Sequence, residues 1–299
     1  MKMLFLSLAI LGVAFLAFML VEAHLANKRR LASAGVRDVK KLVEPLMKPT
    51  VLIGLAEAPG TSYFGGHPPA HEGFVWPVRE GRPLGFLACI DLAETSGSLD
   101  WLPQRGWLLF FYDLEGQAWG FDPKDRGAAV VLWVANPPAV QTEFPFPSQG
   151  WKTDWEIDRH PISFKTVKLP PSSDAPVLDR LRLSDSEQEQ IDEWRSSLRA
   201  SKTQHQLGGD PSPVQDAAMA LECQLVTNGL YCGDASGYED PRAEKLKAGA
   251  KDWALLLQID TDDDLKLMWG DAGMVYFWVK TEEARKGDFS NAWLIQQCY

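Results

Sequence analysis

The segment LLLQID (255–260) is an apolar run that ends in an aspartate, and a similar segment, FLACID, stands at 86–91. Matching motifs flank both segments in the same order. FGGHP (64–68) and LGGDP (207–211) precede them, and GWLLFF (106–111) and GMVYFW (273–278) follow. Three collinear matches predict an internal duplication, with repeat units at approximately 51–135 and 203–280.

The apolar patterning predicts strands and a few helices. LLLQID and FLACID are apolar at both sets of alternating positions, which is typical of strands that are covered on both faces. Further strands are predicted at 51–55, 106–113, 128–135, 155–164, 219–227 and 273–280. A helix is predicted within 183–202, where Ser184 and Glu187 form a capping box, and a short one within 237–251. Because strands and helices do not alternate regularly, we expect an α+β fold of duplicated, mostly antiparallel sheet units.

The N-terminus has the pattern of a membrane anchor. Residues 4–21 carry no charge, only Lys2 precedes them, and six basic residues follow between 28 and 41. The uncharged run predicts a transmembrane helix within 1–27. The positive-inside rule then predicts a cytoplasmic domain (51–299), with the basic segment (28–50) on inner-membrane lipid. Val21-Glu22-Ala23 leaves a second possibility open, a cleaved signal peptide and a secreted or periplasmic protein.

Charge and cysteine content limit the possible partners. The chain of 299 residues has a net charge of −10, although its first 48 residues carry eight basic and three acidic side chains. An acidic body repels phosphate backbones, so nucleic-acid binding is not expected. The four cysteines match no metal-binding spacing. Only Cys223 and Cys232 are close enough in sequence to suggest a disulfide, and the sequence leaves their pairing open.

Aspartates form the most conspicuous polar pattern. Asp260, Asp262, Asp264 and Asp271 are spaced as in a calcium-binding loop, but Leu265 stands where that loop needs glycine. We therefore predict no metal there, and a solvated turn over 262–264. Asp91 and Asp260 end equivalent strands. They either meet across a pseudo-twofold axis, to share a proton or hold a cation, or each caps nearby backbone N–H groups, which is the favoured interpretation.

The remaining candidates are ligand-binding rather than catalytic. Glycine-containing turns and polar strand-end residues can approach a ligand closely. Together with the two strand-end aspartates, the candidates are Gln258, Trp269, Gly270, Asp271, Gly65, Gly66, Gly208 and Gly209. His67 and His71 are four residues apart, but Pro68 and Pro69 prevent the helix that metal binding at this spacing needs. We find no catalytic or cofactor-binding motif, so no catalytic residue, metal or cofactor is predicted.

Several segments resemble the YwqG-like family, which is defined by the DUF1963 domain. They include YFGGHPPAHEGFVWPVREGRPLGFLACIDL, HQLGGDPSPVQ, WALLLQIDTDD and DFSNAWLIQQCY, and the resemblance spans about 51–299. Cys89 departs from the family's FLAQID motif, whereas Gln258 keeps it. The family implies no settled activity, and the toxin–immunity gene neighbourhoods of some members suggest protein binding.

These observations favour a non-enzymatic module that binds a protein or a ligand at the cytoplasmic face of a membrane. Whether the chain is an enzyme stays undecided. The alternative is a metal- or carboxylate-dependent, hydrolase-like enzyme that uses Asp91, Asp260 and Asp271.

Overall fold

A computed structural model describes residues 37–58, 60–95, 97–138, 142–147, 157–199 and 201–299. The predicted anchor (1–27) and the first part of the basic segment lie outside these ranges. Within them, no helix combines the length and the apolar character that crossing a bilayer requires. One compact unit, Val43–Tyr299, contains every strand listed below.

Strands dominate the described part of the chain. They are β1 (Lys48–Leu55), β2 (Tyr63–Phe64), β3 (Val78–Arg79), β4 (Arg82–Pro83), β5 (Gly85–Asp91), β6 (Trp107–Tyr112), β7 (Ala129–Val134), β8 (His160–Leu169), β9 (Gln206–Gly208), β10 (Trp253–Asp260), β11 (Met274–Lys280) and β12 (Trp293–Gln297). The α-helices are α1 (Val39–Val43), α2 (Asp185–Ser197), α3 (Met219–Thr227), α4 (Ser236–Glu239), α5 (Ala243–Leu246) and α6 (Thr281–Arg285). Five 3-10 helices are Glu44–Leu46, Leu92–Thr95, Pro123–Asp125, Pro176–Leu181 and Lys247–Asp252.

One large sheet organises the fold. Its ten strands run in the order β12-β11-β10-β9-β1-β8-β2-β5-β6-β7, and β3 and β4 form a separate hairpin. Every strand pairing is antiparallel. The end strands β7 and β12 contact each other, so the sheet is nearly closed. The expected α+β class with mostly antiparallel pairing is therefore confirmed.

The two halves of the sheet use the same strand pairings. Strand β9 pairs with β10 with Leu207 opposite Leu257, and β2 pairs with β5 with Phe64 opposite Ala88. Each central strand then carries a one-residue bulge against its next neighbour, at Leu256 in β10 and at Leu87 in β5. Strands β1 and β8 pair with each other at the centre and join the halves. The motifs FGGHP and LGGDP therefore occupy matching places.

Buried side chains form three clusters. The inner cluster fills the space that the sheet surrounds, where the rings of Phe110 and Phe277 lie 5.2 Å apart. The first outer cluster lies against β5, β6 and β7, and its residues are Tyr63, Trp76, Leu84, Phe86, Cys89, Trp107, Leu109, Phe111, Val134 and Phe146. The second outer cluster lies against β10, β11 and β12, and it includes Met219, Cys223, Leu225, Val226, Trp253, Leu255, Tyr276, Trp278, Trp293 and Ile295. Strands with both faces covered are apolar throughout, as predicted from LLLQID and FLACID.

Two of the predicted strands need correction. Residues 219–227 form helix α3 rather than a strand. The segment is rich in good helix formers, and Met219, Cys223 and Val226 are buried at helical spacing. The strand predicted at 155–164 begins at His160 and runs on to Leu169. Helix α2 is confirmed with its capping box, in which the Ser184 N–H donates to Glu187 Oε2 at 2.8 Å.

Candidate functional site

The two strand-end aspartates are held in matching ways. The N–H of Asp91 donates to Ser62 Oγ at 2.8 Å, and the N–H of Asp260 donates to His205 Nδ1 at 3.0 Å. Each carboxylate also accepts a backbone N–H, from Ala93 and from Gln204 respectively. Four strands separate β5 from β10 in the sheet, so the two carboxylates do not converge on one point. Capping is what both side chains do in this structure.

Asp262 corrects the prediction of a solvated turn. Its side chain is buried and accepts from His205 Nε2 at 2.9 Å, which lowers the pKa of Asp262. Asp263 and Asp264 are exposed, as predicted. Since His205 Nδ1 accepts the N–H of Asp260, the ring proton resides on Nε2. Both ring nitrogens are occupied, and this His–Asp pair has no free nitrogen with which to act as a base.

Other predicted site residues form part of the framework. Gln258 is buried; its Oε1 accepts the Ser212 N–H at 2.9 Å and its Nε2 donates to Gln204 O at 2.6 Å. The buried Trp269 donates its indole N–H to Asp260 O at 3.2 Å. Gly270 and Asp271 lie beside it, with the Gly270 N–H donating to a side chain and the Asp271 side chain exposed. These contacts fasten loops to β10.

The four glycines of the paired motifs serve packing within the chain. All have a positive φ, between 63° and 71°. A Cβ at Gly65 would lie 2.2 Å from the Asp158 backbone oxygen, and one at Gly209 would lie 2.0 Å from Thr50 Oγ1. Both the left-handed backbone and the close neighbour therefore require glycine.

Metal-binding and disulfide chemistry have no visible basis in the described residues. No group of three or more His, Cys, Asp or Glu side chains there is placed to hold a metal ion. All four cysteines are buried free thiols, so Cys223 and Cys232 are not joined. Burial raises the pKa of the Cys232 thiol to about 12, which makes it a poor nucleophile.

A cavity of about 810 Å³ opens beside the second outer cluster. Helix α3, strands β10 and β11 and the 3-10 helix Lys247–Asp252 form its walls, together with the segments around Leu99, Ala175 and Asp210. The walls are mostly apolar, with Leu221, Trp253 and Leu255 among them. The volume lies within the range that small-molecule pockets span in other proteins.

Three polar atoms make this cavity distinctive. Ser172 Oγ, Asp210 Oδ2 and Trp278 Nε1 belong to residues that line it, and all three are buried without a hydrogen-bond partner in the described structure. The other oxygen of Asp210 accepts from Lys48 Nζ at 2.7 Å. Buried polar groups are almost always hydrogen-bonded. These three atoms are themselves enclosed by protein, so a ligand in the cavity would reach them only after neighbouring side chains move.

Little of this site could be taken from the sequence. Of the ten predicted ligand-binding residues, all within the described ranges, Gly209 alone lines the cavity. Asp210 stands in the LGGDP motif and Trp278 ends GMVYFW, so both had a weak signal. Ser172 had none, because it lies in a connector without a motif.

Comparison with known families supports the resemblance drawn from the motifs. Residues 62–298 match the model of the domain of unknown function DUF1963. The chain belongs to this family. The matched region of the DUF1963 domain contains every labelled strand except β1, which nevertheless lies at the centre of the sheet. No curated protein matches the chain. The family description names no activity.

Proposed function

We propose that this DUF1963 protein is a non-enzymatic binding module whose ligand occupies the cavity beside helix α3. The ligand has an apolar body that matches the cavity walls, and a polar group. The observation that carries the proposal is a cavity of about 810 Å³ with mostly apolar walls, which lies between helix α3 and strands β10 and β11. Burying apolar ligand surface against such walls would stabilise the complex.

In the first half of the sheet, aromatic rings fill the place that corresponds to the cavity, which supports a ligand of similar size in the second half. Trp278 pairs with Leu255 in the second half, as Phe111 pairs with Phe86 in the first. Phe111 is surrounded by the rings of Phe74 and Trp76, at 6.2 Å and 5.7 Å between centroids. Trp278 borders the cavity instead. Aromatic side chains thus fill the space beside Phe111, whereas the space beside Trp278 is left for an apolar group of a ligand.

The charges at the cavity suit an amphipathic probe. Lys48, Lys247 and Lys251 belong to its lining, against the acidic Asp100 and Asp210, so the basic side chains exceed the acidic ones by one. Lys48 pairs with Asp210, and Lys251 is exposed. The fluorescent anion 1-anilinonaphthalene-8-sulfonate combines an apolar ring system with a negative charge, so its saturable binding tests the site. We expect 1-decanol, with an apolar chain and one hydroxyl, to displace it.

A cavity-filling variant locates the binding. Ala220→Phe places a ring in the space beside α3 and should lower the affinity for the probe at least about tenfold. Ala235→Phe, at an exposed position outside the lining, is the matched control and should bind as the parent does. Absence of saturable binding, or equal binding by the parent and Ala220→Phe, would refute the proposal.

Membrane attachment through residues 1–27, with the domain facing the cytoplasm, is also part of this proposal. It is supported by the uncharged run at 4–21 and the basic residues that follow it. A reporter active only in the cytoplasm, fused after Tyr299, should give signal. Signal only from a reporter that needs the periplasm would reverse the orientation.

The duplication is a further part of the proposal. It is supported by the matching strand pairings, by the bulges at Leu256 and Leu87, and by the two strand-end hydrogen bonds described above. Superposing the two halves of an experimental structure should place Asp91 on Asp260. Different local folds at these positions would end the claim.

A further inference from the structure

A second, smaller cavity lies where the two central strands meet. It has a volume of about 230 Å³, and Gly54 and Ser163, which pair across β1 and β8, are part of its lining. Ser163, Ser201 and Thr203 are also among its lining residues. Its charged lining residues, as far as the structure describes them, are Lys165 and Arg199, and no Asp or Glu is among them. That is notable in a chain with a net charge of −10.

Arg199 makes no direct ion pair in the described structure, although the charge of Asp260 acts on it from a distance. Its guanidinium donates to the side-chain oxygen of Gln206 and to Ser212 Oγ, and its buried Nε has no hydrogen-bond partner. No ion pair involves Arg199 within the described ranges. Burying a charge without an opposite charge is unfavourable, so the site favours an anion.

A second guanidinium strengthens the positive potential. Arg195 is buried and also donates to Ser212 Oγ, at 3.2 Å, so the two side chains share one acceptor. Burial and the charge of Arg195 lower the pKa of Arg199 to about 9. At neutral pH Arg199 nevertheless stays charged. Each guanidinium therefore raises the free-energy cost of burying the other.

Nearby carboxylates are already engaged elsewhere. Asp260 attracts Arg199, but its Oδ2 accepts the Gln204 N–H and it does not line the cavity. Asp262 accepts from His205, and Asp210 pairs with Lys48. Both ring nitrogens of His205 are hydrogen-bonded, Nδ1 to the Asp260 N–H and Nε2 to Asp262 Oδ2, so neither is left for an anion.

We propose that this smaller cavity binds a phosphate group, held by the Arg199 guanidinium, the Lys165 ammonium and the hydroxyls of Ser201 and Thr203. Ser201 Oγ and Thr203 Oγ1 are hydrogen-bonded to each other at 2.9 Å, so together they keep one hydroxyl proton that can be donated to an anion. Guanidinium and hydroxyl donors on several sides suit the oxygens of a tetrahedral anion. The volume exceeds that of the anion alone, so a small phosphomonoester fits as well as inorganic phosphate. This site does not depend on the ligand proposed for the cavity beside α3.

Calorimetric titration of the full chain with inorganic phosphate, in buffer of constant ionic strength, tests the proposal. We expect saturable binding and a higher melting temperature, since a ligand that binds only the folded state stabilises it. Arg199→Gln should weaken binding at least about tenfold, because a hydrogen bond to a charged group contributes that much to affinity. No binding beyond that of chloride would overturn the proposal.

Lys165→Gln keeps the test valid if Arg199→Gln does not fold. Lys165 is exposed, so its replacement should leave the melting temperature without phosphate unchanged and weaken phosphate binding severalfold. Lys168→Gln, on the same strand but outside the lining, is the matched control and should bind as the parent does. Equal phosphate affinity of Lys165→Gln and Lys168→Gln would overturn the proposal.

Glycerol 3-phosphate distinguishes the two sources of the phosphate group. Tighter binding of glycerol 3-phosphate than of inorganic phosphate would assign a phosphomonoester. Equal or weaker binding of the ester would assign the free anion. Either result supports the site only if Lys165→Gln lowers the affinity for the ligand that binds better.

Discussion

The outer faces of the two sheet halves share their strand pairings but differ in what covers them. In the first half, the rings of Phe74 and Trp76 pack onto Phe111, and Phe146 packs onto Trp76. In the second half, helix α3 covers β10, fastened by the hydrogen bond from Trp253 Nε1 to Gln224 Oε1 at 2.9 Å. The helix leaves the cavity of about 810 Å³ beside it. Similar strands thus carry a filled core in one half and an open cavity in the other, because different segments of the chain cover them.

The strand ends show a second difference between the halves. Ser62 and His205 stand at matching positions and both accept the N–H of a strand-end aspartate. A hydroxyl suffices for that role, but the imidazole also donates to a buried carboxylate, Asp262. The second half therefore has an additional buried polar pair that the hydroxyl of Ser62 cannot reproduce.

The largest expected effect comes from removing a ring on each outer face. Phe111→Ala should lower the free energy of unfolding by about 4 kcal/mol, because it opens a cavity among closely packed rings. Trp278→Ala should cost at least about 1 kcal/mol less, since Trp278 already borders empty space. Urea unfolding at pH 7, with equal m-values, measures both. A larger loss in Trp278→Ala would contradict the distinction between a filled and an open face.

Alanine at glycines of the two paired motifs should cost somewhat less, about 3 kcal/mol at Gly65. There the new Cβ meets the Asp158 backbone oxygen, which side-chain rearrangement cannot move. At Gly209 it meets Thr50 Oγ1, so Gly209→Ala should cost less when Thr50→Ala is also present. A double-mutant cycle from urea unfolding checks this. Additive losses at Gly209 and Thr50 would show that the backbone conformation alone sets the cost.

Glu222, on helix α3, should make the second half sensitive to pH. Burial raises the pKa of Glu222 from 4.5 to about 7, with one carboxyl oxygen accepting from Tyr238 Oη at 2.9 Å. The folded state thus holds the proton more tightly than the unfolded state. The stability from this group is complete below pH 4.5 and is lost as the pH rises through about 7.

Glu222→Gln should therefore raise the free energy of unfolding by on the order of 2 kcal/mol at pH 8 and change it little near pH 4. Urea unfolding at the two pH values measures the difference. Exposed Glu239→Gln is the matched control, and it should show no such dependence on pH. An equal effect of Glu222→Gln at both pH values would mean that the carboxyl is not protonated in the folded state.

The smallest effect should come from the buried polar pair of the second half. Asp262→Asn should lower the free energy of unfolding by about 1 kcal/mol at pH 7, because the hydrogen bond from His205 loses its charged acceptor. The pKa of Asp262 is lowered in the folded state, so this loss should persist above pH 3.8 and shrink at lower pH. Asp263→Asn, at the exposed neighbour, should have no effect. Chemical unfolding at pH 3 and pH 7 separates these outcomes.

The sequence by itself determined strands β1, β5, β6, β7, β10 and β11, the capped helix α2 and the family, because alternation, capping residues and motif order are local signals. Helix α3 was missed because an apolar run of nine residues fits either a strand or a buried helix by periodicity alone. Two short strands, β2 and β9, carry only the motif glycines as a sequence signal, yet they place both motifs beside the central strands.

The sites were decided by tertiary structure. Ser172, Asp210 and Trp278 come from a connector, a turn and a strand, so no spacing along the chain could relate them. Arg199 and Lys165 likewise line one cavity only because the tertiary structure brings β8 and the segment after helix α2 together. The aspartates that dominate 260–271 instead satisfy backbone and histidine hydrogen bonds, because burial at the strand end left those donors in need of acceptors. Local composition identified the polar residues, and long-range packing decided which of them stayed unpaired.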